Sequence, residues 1–259
     1  MQLSPALMFK KMAVEDRVRV AKEKTERVVD HLLYLLALHE NNAIIVYSPT
    51  LSSQIPTSYA ANAFNLFQRG LHQFEIVRLC ALWDTSEAEK ENIPTVIELI
   101  DHPDVIEALA AETLSQWTNI GGVIANPSSD PELAALEKSA LQRSNREFGE
   151  EQAQKGRAAL QRAIVESRTI LTSPKLQGIM NLRDKYLAHS LSHSRREKSG
   201  PIAPMKYGDE REVLNASVPI VESLYCWING RGFSFEDSRQ IARKNANALW
   251  TRCKFDIVK

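Results

Sequence analysis

The sequence has only three cysteines in 259 residues, and no two of them form a CxxC pair. They are Cys80, Cys226 and Cys253. A chain of this length can bury enough apolar surface to fold without disulfides or a structural metal. We therefore expect each cysteine to be a small buried apolar side chain in a reducing compartment.

An excess of one charge and a long apolar run are also lacking. Lysine plus arginine equals aspartate plus glutamate at 32 each, so the formal net charge is zero. Any nucleic-acid binding must therefore depend on a local patch. The longest apolar run, residues 32–38, is far too short to cross a bilayer. The N-terminus has neither the apolar core nor the cleavage site of a signal peptide, so a cytoplasmic protein with no membrane contact is expected.

The common motifs of nucleotide and hydrolase sites are absent. The sequence contains no GxxxxGK(S/T), GxGxxG, HExxH or GxSxG, so it gives those classes no support. Only His189 and His193 have the four-residue spacing of metal ligands on a helix, and a serine-rich loop is predicted to begin between them. No metal and no cofactor are expected.

Hydrophobic periodicity predicts an all-α chain without internal repeats or convincing strands. Residues 43–47 fit either a short strand or a continuation of the first helix. The loop lengths suit a bundle with antiparallel neighbours, and residues 1–259 are predicted to form one domain. A helical elaboration is expected to project around residues 131–172, and a basic loop is expected at residues 190–209. The predicted helices cover residues 6–39, 57–84, 94–100, 104–118, 131–171, 210–229 and 234–250.

One stretch, residues 179–190, combines an apolar helix face with charged side chains. Ser173 and Pro174 predict the start of its helix, because serine caps free amides and proline at the first helical position loses no hydrogen bond. A helical wheel places Arg183 near the middle of the apolar face and His189 at its edge. Arginine cannot shed its charge, so Arg183 needs a carboxylate, a phosphate or a water-filled groove. The apolar face contains Leu176, Ile179, Met180, Leu182, Tyr186 and Leu187, and the opposite face contains Gln177, Asn181, Asp184 and Lys185.

The helix predicted at residues 57–84 carries a second conflict of this kind. Glu75 and Arg78 fall inside its apolar face, where either charge alone would be costly. They predict a supporting polar cluster in which Glu75 is a candidate partner for Arg183. The alternative is an ion pair that only fixes the helix register. The apolar face contains Phe64, Phe67, Leu71, Phe74 and Leu82.

The loop after the central stretch is basic. Its first half contains His193, Arg195, Arg196 and Lys198 against the single carboxylate of Glu197. This is the one local patch of the sequence that a phosphate backbone would prefer, and these four residues are the candidate substrate-binding residues. An ordinary solvated loop is the alternative, because short basic runs are common on protein surfaces.

Arg183 and His189 are together sufficient for one kind of chemistry. They are six residues apart, which on a regular helix separates them by about 120° and about 9 Å along the axis. Either the helix distorts near its end, or the two side chains meet in a groove completed by a second chain. Histidine can move a proton near neutral pH and arginine can stabilise a phosphate. RNA supplies its own 2′-hydroxyl nucleophile, so such a pair can cleave it without a metal.

Two segments resemble a known family. The segment R-D-K-Y-L-A-H at residues 183–189 resembles the R-polar-x-x-x-(x)-H motif of the HEPN superfamily. L-R-D-K-Y-L-A-H-S, together with R-L-C-A-L-W-D at residues 78–84 and I-P-T-V-I-E-L-I soon after, is similar to the AbiU-like branch linked to phage abortive infection. The resemblance implies a HEPN-like helical bundle with additional long helices.

The resemblance also implies a function and a partner. A HEPN homodimer would bring its two motifs together across a two-fold groove, forming a metal-independent endoribonuclease that acts as a toxin or phage-defence effector. Arg183 and His189 would be catalytic, and Asp184 would be the polar residue that supports them. RNA would be substrate or ligand, and an antitoxin or another defence protein is a further candidate partner. Leu191 stands where the H-x-Y form of the motif has tyrosine, so that form is not matched.

Two other interpretations stay open at this point. The chain could be a non-catalytic HEPN module whose groove binds RNA, nucleotide or a protein partner, with Arg183, Glu75 and Arg78 in a structural cluster. It could also be an unrelated helical interaction protein. Arg183 and His189 opening onto one groove beside the basic loop would favour the enzyme.

Overall fold

The computed structural model describes residues 9, 11–119 and 128–257, and every regular element in those ranges is helical. The all-α prediction is confirmed. A π-helical turn, Arg183–Leu187, directly follows the helix Pro174–Leu182. A 3-10 turn, Arg196–Ser199, lies in the loop before the helix Asp209–Asn229. The helices are α1 Val14–Ile45, α2 Pro49–Ser52, α3 Tyr59–Leu82, α4 Ile93–Ile100, α5 Pro103–Thr118, α6 Pro131–Leu171, α7 Pro174–Leu182, α8 Asp209–Asn229 and α9 Phe235–Trp250.

Helix α1 is the axis of the bundle. It contacts α2, α3, α4, α5, α8 and α9. Val28, Leu32, Leu35 and Leu36 are buried at the three- and four-residue spacing of one helix face, so this face forms the centre of the core. α1 continues to Ile45, which settles the open choice at residues 43–47 in favour of helix. The start predicted at residue 6 lies outside the described residues, but residues 11–13 are not helical, so the predicted helix does not run unbroken into α1.

Most helix starts follow from side-chain caps that the sequence displays. The side chains of Asn92, Asp130, Ser173 and Ser234 each accept a hydrogen bond from a main-chain amide in the first turn of the helix that follows. Proline stands in the first turn of α4, α5, α6 and α7. The bounds predicted for the long helix at residues 131–171 agree with α6.

The middle of α6 packs more closely than its composition suggests. Gly149, Ala153 and Gly156 are buried on one face. A Cβ atom added at Gly156 would lie 2.8 Å from the Trp227 ring of α8. Small residues therefore let α6 approach its neighbours along this face although it has few large apolar side chains. Leu133, near the start of α6, stays exposed.

The last two helices close the bundle against α1. α8 is continuous through Pro219, and Gly230 ends it in the left-handed conformation with φ 67°. The Ser234 side chain accepts from the Asp237 amide at 3.2 Å and so caps the start of α9. Among the described residues, no helix combines the length and the apolar character needed to cross a membrane.

The loop before α8 lies directly on α7 at Gly178. A Cβ atom built at Gly178 would lie 2.9 Å from the Ala203 carbonyl oxygen and 3.2 Å from the Met205 amide nitrogen. Both neighbours are main-chain atoms, so they cannot move aside by changing rotamer. Glycine at this position lets the loop pack against the helix that carries Arg183.

We expect Gly178→Ala to destabilise the protein by about 1–3 kcal/mol, the usual cost of overpacking a buried site. For a chain of this size the melting temperature should fall by roughly 2–4 °C per kcal/mol, measured by thermal denaturation. The control is Gly232→Ala, where an added Cβ meets no atom within 4 Å. Equal melting temperatures for the two variants would contradict the close packing.

Candidate functional site

The helix that carries Arg183 changes its winding at that residue. Ser173 caps α7 by accepting from the Leu176 amide at 3.3 Å, and Leu176 and Ile179 are buried against the core. After Leu182 the Ala188 amide donates to the Arg183 carbonyl at 2.8 Å, which is the five-residue bond of a π-helical turn. Of the two alternatives that the spacing of Arg183 and His189 left open, the structure shows the distortion near the helix end. Such turns are rare and are frequent at functional sites.

The wider turn moves side chains away from their places on a regular wheel. Tyr186, predicted on the apolar face, is 63% exposed, so that prediction is wrong. Five-residue bonding takes more residues per turn than an α-helix, and this rotates the positions after Arg183 away from the core. Asn181, predicted to face solvent, is buried because the 194–199 loop folds back over it.

Two carboxylates hold the guanidinium of Arg183. Its Nε and Nη2 lie 2.8 and 2.6 Å from Oδ1 of Asp184, and its Nη1 lies 3.7 Å from Oδ2 of Asp84. Burial acts to lower the pKa of Arg183, but the hydrogen bond to Asp184 and the nearby negative charges raise it on balance. Arg183 thus has the carboxylate partners that its position demanded, and it stays charged.

The partner predicted for Arg183 is wrong. The Glu75 carboxylate instead contacts Nδ1 of His39 at 2.6 Å, Nδ2 of Asn42 at 2.6 Å and the Tyr47 hydroxyl at 3.1 Å. His39 and Asn42 belong to α1, and Tyr47 follows the end of that helix. Burial and the negative charge of Glu75 raise the pKa of Tyr47, which therefore keeps its proton and donates to the carboxylate. Glu75 belongs to a separate buried cluster.

Arg78 does not join that cluster either. Its guanidinium lies over the Tyr34 ring, 5.2 Å from the ring centre. The buried arc of α3 is Glu75, Ile76, Leu79, Cys80 and Leu82, rotated from the predicted face. Phe67 and Phe74, predicted as core, are consequently 48% and 43% exposed. The prediction of one polar cluster containing Glu75 and Arg78 is wrong.

Asp84 connects the two segments that carried the family resemblance. It ends the 78–84 segment, and its Oδ2 also lies 3.2 Å from Nζ of Lys90. Burial acts to raise the pKa of Asp84, but the Thr85 amide, Lys90 and Arg183 lower it on balance. The Cys80 thiol, one turn earlier, donates to the Ile179 carbonyl at 3.8 Å. Sequence reasoning missed Asp84 as a site residue, although it quoted the segment that contains it.

Asp184 faces the protein's own basic loop rather than open solvent. Its predicted place on the solvent-facing side of a regular helical wheel is therefore wrong. Its Oδ2 accepts from Nε of Arg196 at 2.9 Å, while its Oδ1 holds Arg183. Arg196 also donates to Oε1 of Gln177 at 3.1 Å. Asp184 therefore bridges two arginines within one chain, and the positive charge of Arg196 is already compensated.

A capping box fixes the start of the basic loop. The Ser194 amide donates to Oε2 of Glu197 at 2.8 Å, and the Glu197 amide donates to the Ser194 hydroxyl at 3.2 Å. Oε1 of Glu197 also accepts from Asn181 at 3.1 Å and from Lys185 at 3.0 Å. The Ser194 amide, Asn181 and Lys185 lower the pKa of Glu197 to about 2. The S-x-x-E spacing of Ser194 and Glu197 is the sequence signal for this capping box, and the prediction of a basic loop did not include it.

His189 lies just after the π-helical turn and is exposed. A cleft of about 460 Å³ is lined by Asp184, His189, Leu191 and Arg195. Of the other basic loop residues, His193 and Lys198 are exposed, like Arg195. The cleft thus joins an imidazole that can exchange protons, a guanidinium that can bind a phosphate, and the carboxylate that holds Arg183. Within the described residues, no group of three His, Cys, Asp or Glu side chains is placed to hold a metal ion.

The Glu197 carboxylate is expected to control the order of the loop. Glu197→Gln keeps the side-chain size but removes the charge that Lys185 and the Ser194 amide stabilise. We expect faster amide hydrogen exchange over residues 190–200, measured by mass spectrometry, with unchanged exchange in α1. Glu23→Gln is the control, since the Glu23 carboxylate is exposed and, within the described ranges, contacts only Arg19.

The same carboxylate gives a pH dependence. A carboxyl group whose pKa is lowered in the fold contributes stability above its ordinary pKa and loses it as the pH falls toward the lowered value. With a folded pKa of about 2 against an ordinary 4.5, protection of the loop should decline across that interval and stay constant above it. A decline of the same size in the Glu197→Gln protein would contradict this assignment.

Comparison with known proteins agrees with the geometry. A family model described as AbiU2, of HEPN type, matches residues 21–249 of the chain. No curated protein and no solved structure matches it. The matched range contains Asp84 and Asp184, whose carboxylates contact Arg183, and it also contains the π-helical turn and His189. The chain belongs to the AbiU2 family of HEPN proteins.

Proposed function

We propose that this protein is a metal-independent endoribonuclease of HEPN type that acts as a toxin or effector in abortive infection. Family membership supports the defence role. The observation that carries the proposal is the exposed His189 in a cleft whose wall, Asp184, holds the charged Arg183. A mobile proton donor or acceptor and a fixed cation are the two groups that RNA cleavage needs from a protein.

The reaction uses the RNA as its own nucleophile. The ribose 2′-hydroxyl attacks the adjacent phosphorus, the bond from phosphorus to the 5′-oxygen breaks, and a 2′,3′-cyclic phosphate and a 5′-hydroxyl form. His189 takes the proton of the 2′-hydroxyl and passes it to the leaving 5′-oxygen, which departs as the 5′-hydroxyl. Arg183 stabilises the negative charge that develops on the phosphate oxygens. Asp184 fixes the Arg183 guanidinium and is a positioning residue.

The basic loop supplies the substrate-binding residues. His193, Arg195 and Lys198 are exposed beside the cleft and can contact neighbouring phosphates. Arg196 contributes differently, because its guanidinium is bound to Asp184 and Gln177. A neutral overall charge with one local basic patch fits a selective substrate better than general RNA binding.

A second copy of the chain completes the site in this proposal. Leu66, Phe67, Phe74 and Val77 form an exposed apolar stripe on α3, and Leu66 is 70% exposed. In the middle of the stripe, a Cβ added at Gly70 would meet no atom within 4 Å, so another helix can approach closely there. Exposed apolar stripes of this kind mark protein interfaces.

The position of the stripe favours a second copy over an unrelated partner. α3 leads from the stripe to Asp84, which contacts Arg183. A two-fold pairing along α3 would therefore bring two Arg183 and His189 pairs to neighbouring parts of one interface. The surface of α3 is also poor in charge, since its only charged residues are Arg69, Glu75 and Arg78, and Glu75 is buried.

The alternative function is a non-catalytic module that binds RNA, a nucleotide or a protein partner in abortive infection. The contacts of Arg183 favour it, because two carboxylates already occupy its guanidinium and its side chain is only 18% exposed. In this alternative Arg183 is structural and the basic loop only binds. The two functions differ in whether His189 is needed for a chemical step.

We expect His189→Ala to abolish cleavage of a fluorescent single-stranded RNA while the melting temperature stays unchanged, since the side chain is exposed. His193→Ala is the comparison, an exposed histidine four residues later. It should raise KM with little change in kcat, because it removes a binding contact and no proton transfer. Cleavage by folded His189→Ala protein at the wild-type rate would refute the proposal.

Leu66→Asp is expected to place a charge inside the proposed interface and to convert the dimer to a monomer that does not cleave RNA. Size-exclusion chromatography with light scattering measures the mass. Leu133→Asp is the matched control, because Leu133 is a leucine that is 51% exposed on a different helix. That variant should remain dimeric and active. A Leu66→Asp dimer, or an active wild-type monomer, would exclude this interface.

A further inference from the structure

A second cleft lies on the other side of Asp84. It has a volume of about 500 Å³ and lies between α1, α3 and the connection from α3 to α4. Its walls carry equal numbers of positive and negative side chains: Arg27, Asp30 and His31 come from α1, Arg78 from α3, and Asp84, Lys90 and Glu91 from the connection. Since Asp84 also contacts Arg183 at 3.7 Å, the cleft adjoins the candidate catalytic site.

Two residues that line this cleft each have a buried polar atom with no hydrogen-bond partner in the described part of the chain. These atoms are Nε2 of His31 and Nε of Arg78. Buried polar groups in proteins are nearly always hydrogen-bonded, and exceptions need an explanation. Two such atoms on residues that line the same cleft are explained by a ligand that bonds to both.

The charges in the cleft define that ligand. Lys90 is paired with Asp84 at 3.2 Å, and Arg27 approaches Glu91 at 4.0 Å. Arg78 has no carboxylate partner among the described residues and lies over the Tyr34 ring instead. Asp30 is the carboxylate of the wall that has no ion pair among the described residues. Arg78 is the cation of the wall that remains for an anionic ligand, and phosphate suits its planar donors.

His31 adds a second requirement. Burial and the positive charge of Arg78 lower the pKa of His31 to about 4, so its imidazole is neutral at pH 7. A neutral imidazole nitrogen donates or accepts one hydrogen bond, and a hydroxyl group can satisfy either role. A nucleotide unit with its ribose carries both a phosphate and a hydroxyl.

We propose that this cleft binds a nucleotide of the RNA strand next to the one that is cleaved. The Arg78 guanidinium donates to its phosphate, and the His31 imidazole bonds to a ribose hydroxyl. Asp84 separates this subsite from the cleavage site while holding Arg183. The inference rests on the proposed RNA cleavage, and it gives Arg78 a binding role in place of the predicted structural pairing with Glu75.

Binding can be measured apart from cleavage in the His189→Ala background. The probe is a 5′-fluorescein-labelled, 12-nucleotide single-stranded RNA of mixed sequence, followed by fluorescence anisotropy at fixed salt. Arg78→Gln should raise Kd about tenfold, in line with the loss of one charge-assisted hydrogen bond. Arg78→Lys should give a smaller increase, because it keeps the charge and loses the planar donor.

Arg69→Gln is the matched control. It removes the same charge from the same helix, and Arg69 is exposed about two and a half turns away. Its Kd should stay within about twofold of the parent, as for a single distant surface charge. Equal Kd values for Arg78→Gln and Arg69→Gln would overturn the subsite, and so would the absence of any RNA binding by the folded parent.

The outcomes separate this inference from the proposed function. If wild type cleaves RNA and Arg78→Gln binds as tightly as the parent, the cleavage proposal stands and the subsite fails. If Arg78→Gln weakens binding and wild type does not cleave, the cleft binds RNA but the catalytic proposal, and with it the subsite's place beside a cleaved bond, fails. His31→Phe, which fills the same space without a polar atom, should weaken binding severalfold, and an unchanged Kd would remove His31 from the subsite.

Discussion

The ion pairs between Arg183 and its two carboxylates govern how this end of the bundle is built. Arginine keeps its charge in any protein environment, and this side chain is only 18% exposed, so carboxylates have to reach it. Asp84 comes from the end of α3 and Asp184 from the π-helical turn. The meeting of the two segments and the return of Arg196 over Asp184 both follow from that requirement.

The same arrangement divides the site into fixed and free groups. Arg183, Asp184 and Arg196 are joined by hydrogen bonds, and Glu197 holds the loop through a capping box. His189, which follows the π-helical turn, remains exposed at the cleft. A fixed cation beside a free imidazole suits a reaction that needs one group to stay in place and another to move a proton. The apolar stripe of α3 and the cleft of Arg78 both adjoin this arrangement through the end of α3.

The sequence predicted the helices well because their starts and ends depend on local signals. Asp130 with Pro131, Ser173 with Pro174, and Ser234 are caps that act within a few residues. The need of Arg183 for an anionic partner could also be predicted, because a single charge on an apolar helix face is visible in the local sequence. The family resemblance led to the same two segments that the structure brings together.

The partners of the charged residues could not be read in this way, because they depend on contacts between distant parts of the chain. The sequence makes Glu75 a candidate partner for Arg183. In the structure, the Glu75 carboxylate is instead bound by His39, Asn42 and Tyr47. The apolar face predicted for α3 depends on its phenylalanines, but Phe67 and Phe74 are exposed. Tyr186 was misplaced because a regular wheel does not contain the π-helical turn.

The most direct test of the account is the end chemistry of RNA treated with the purified protein in excess EDTA. Total cellular RNA is incubated with wild type, and the fragment ends are read by enzymatic end-labelling and sequencing. The account predicts fragments with 2′,3′-cyclic phosphate and 5′-hydroxyl ends, formed equally with and without EDTA. Intact RNA after incubation with a folded dimer, or cleavage that stops when EDTA is added, would contradict it.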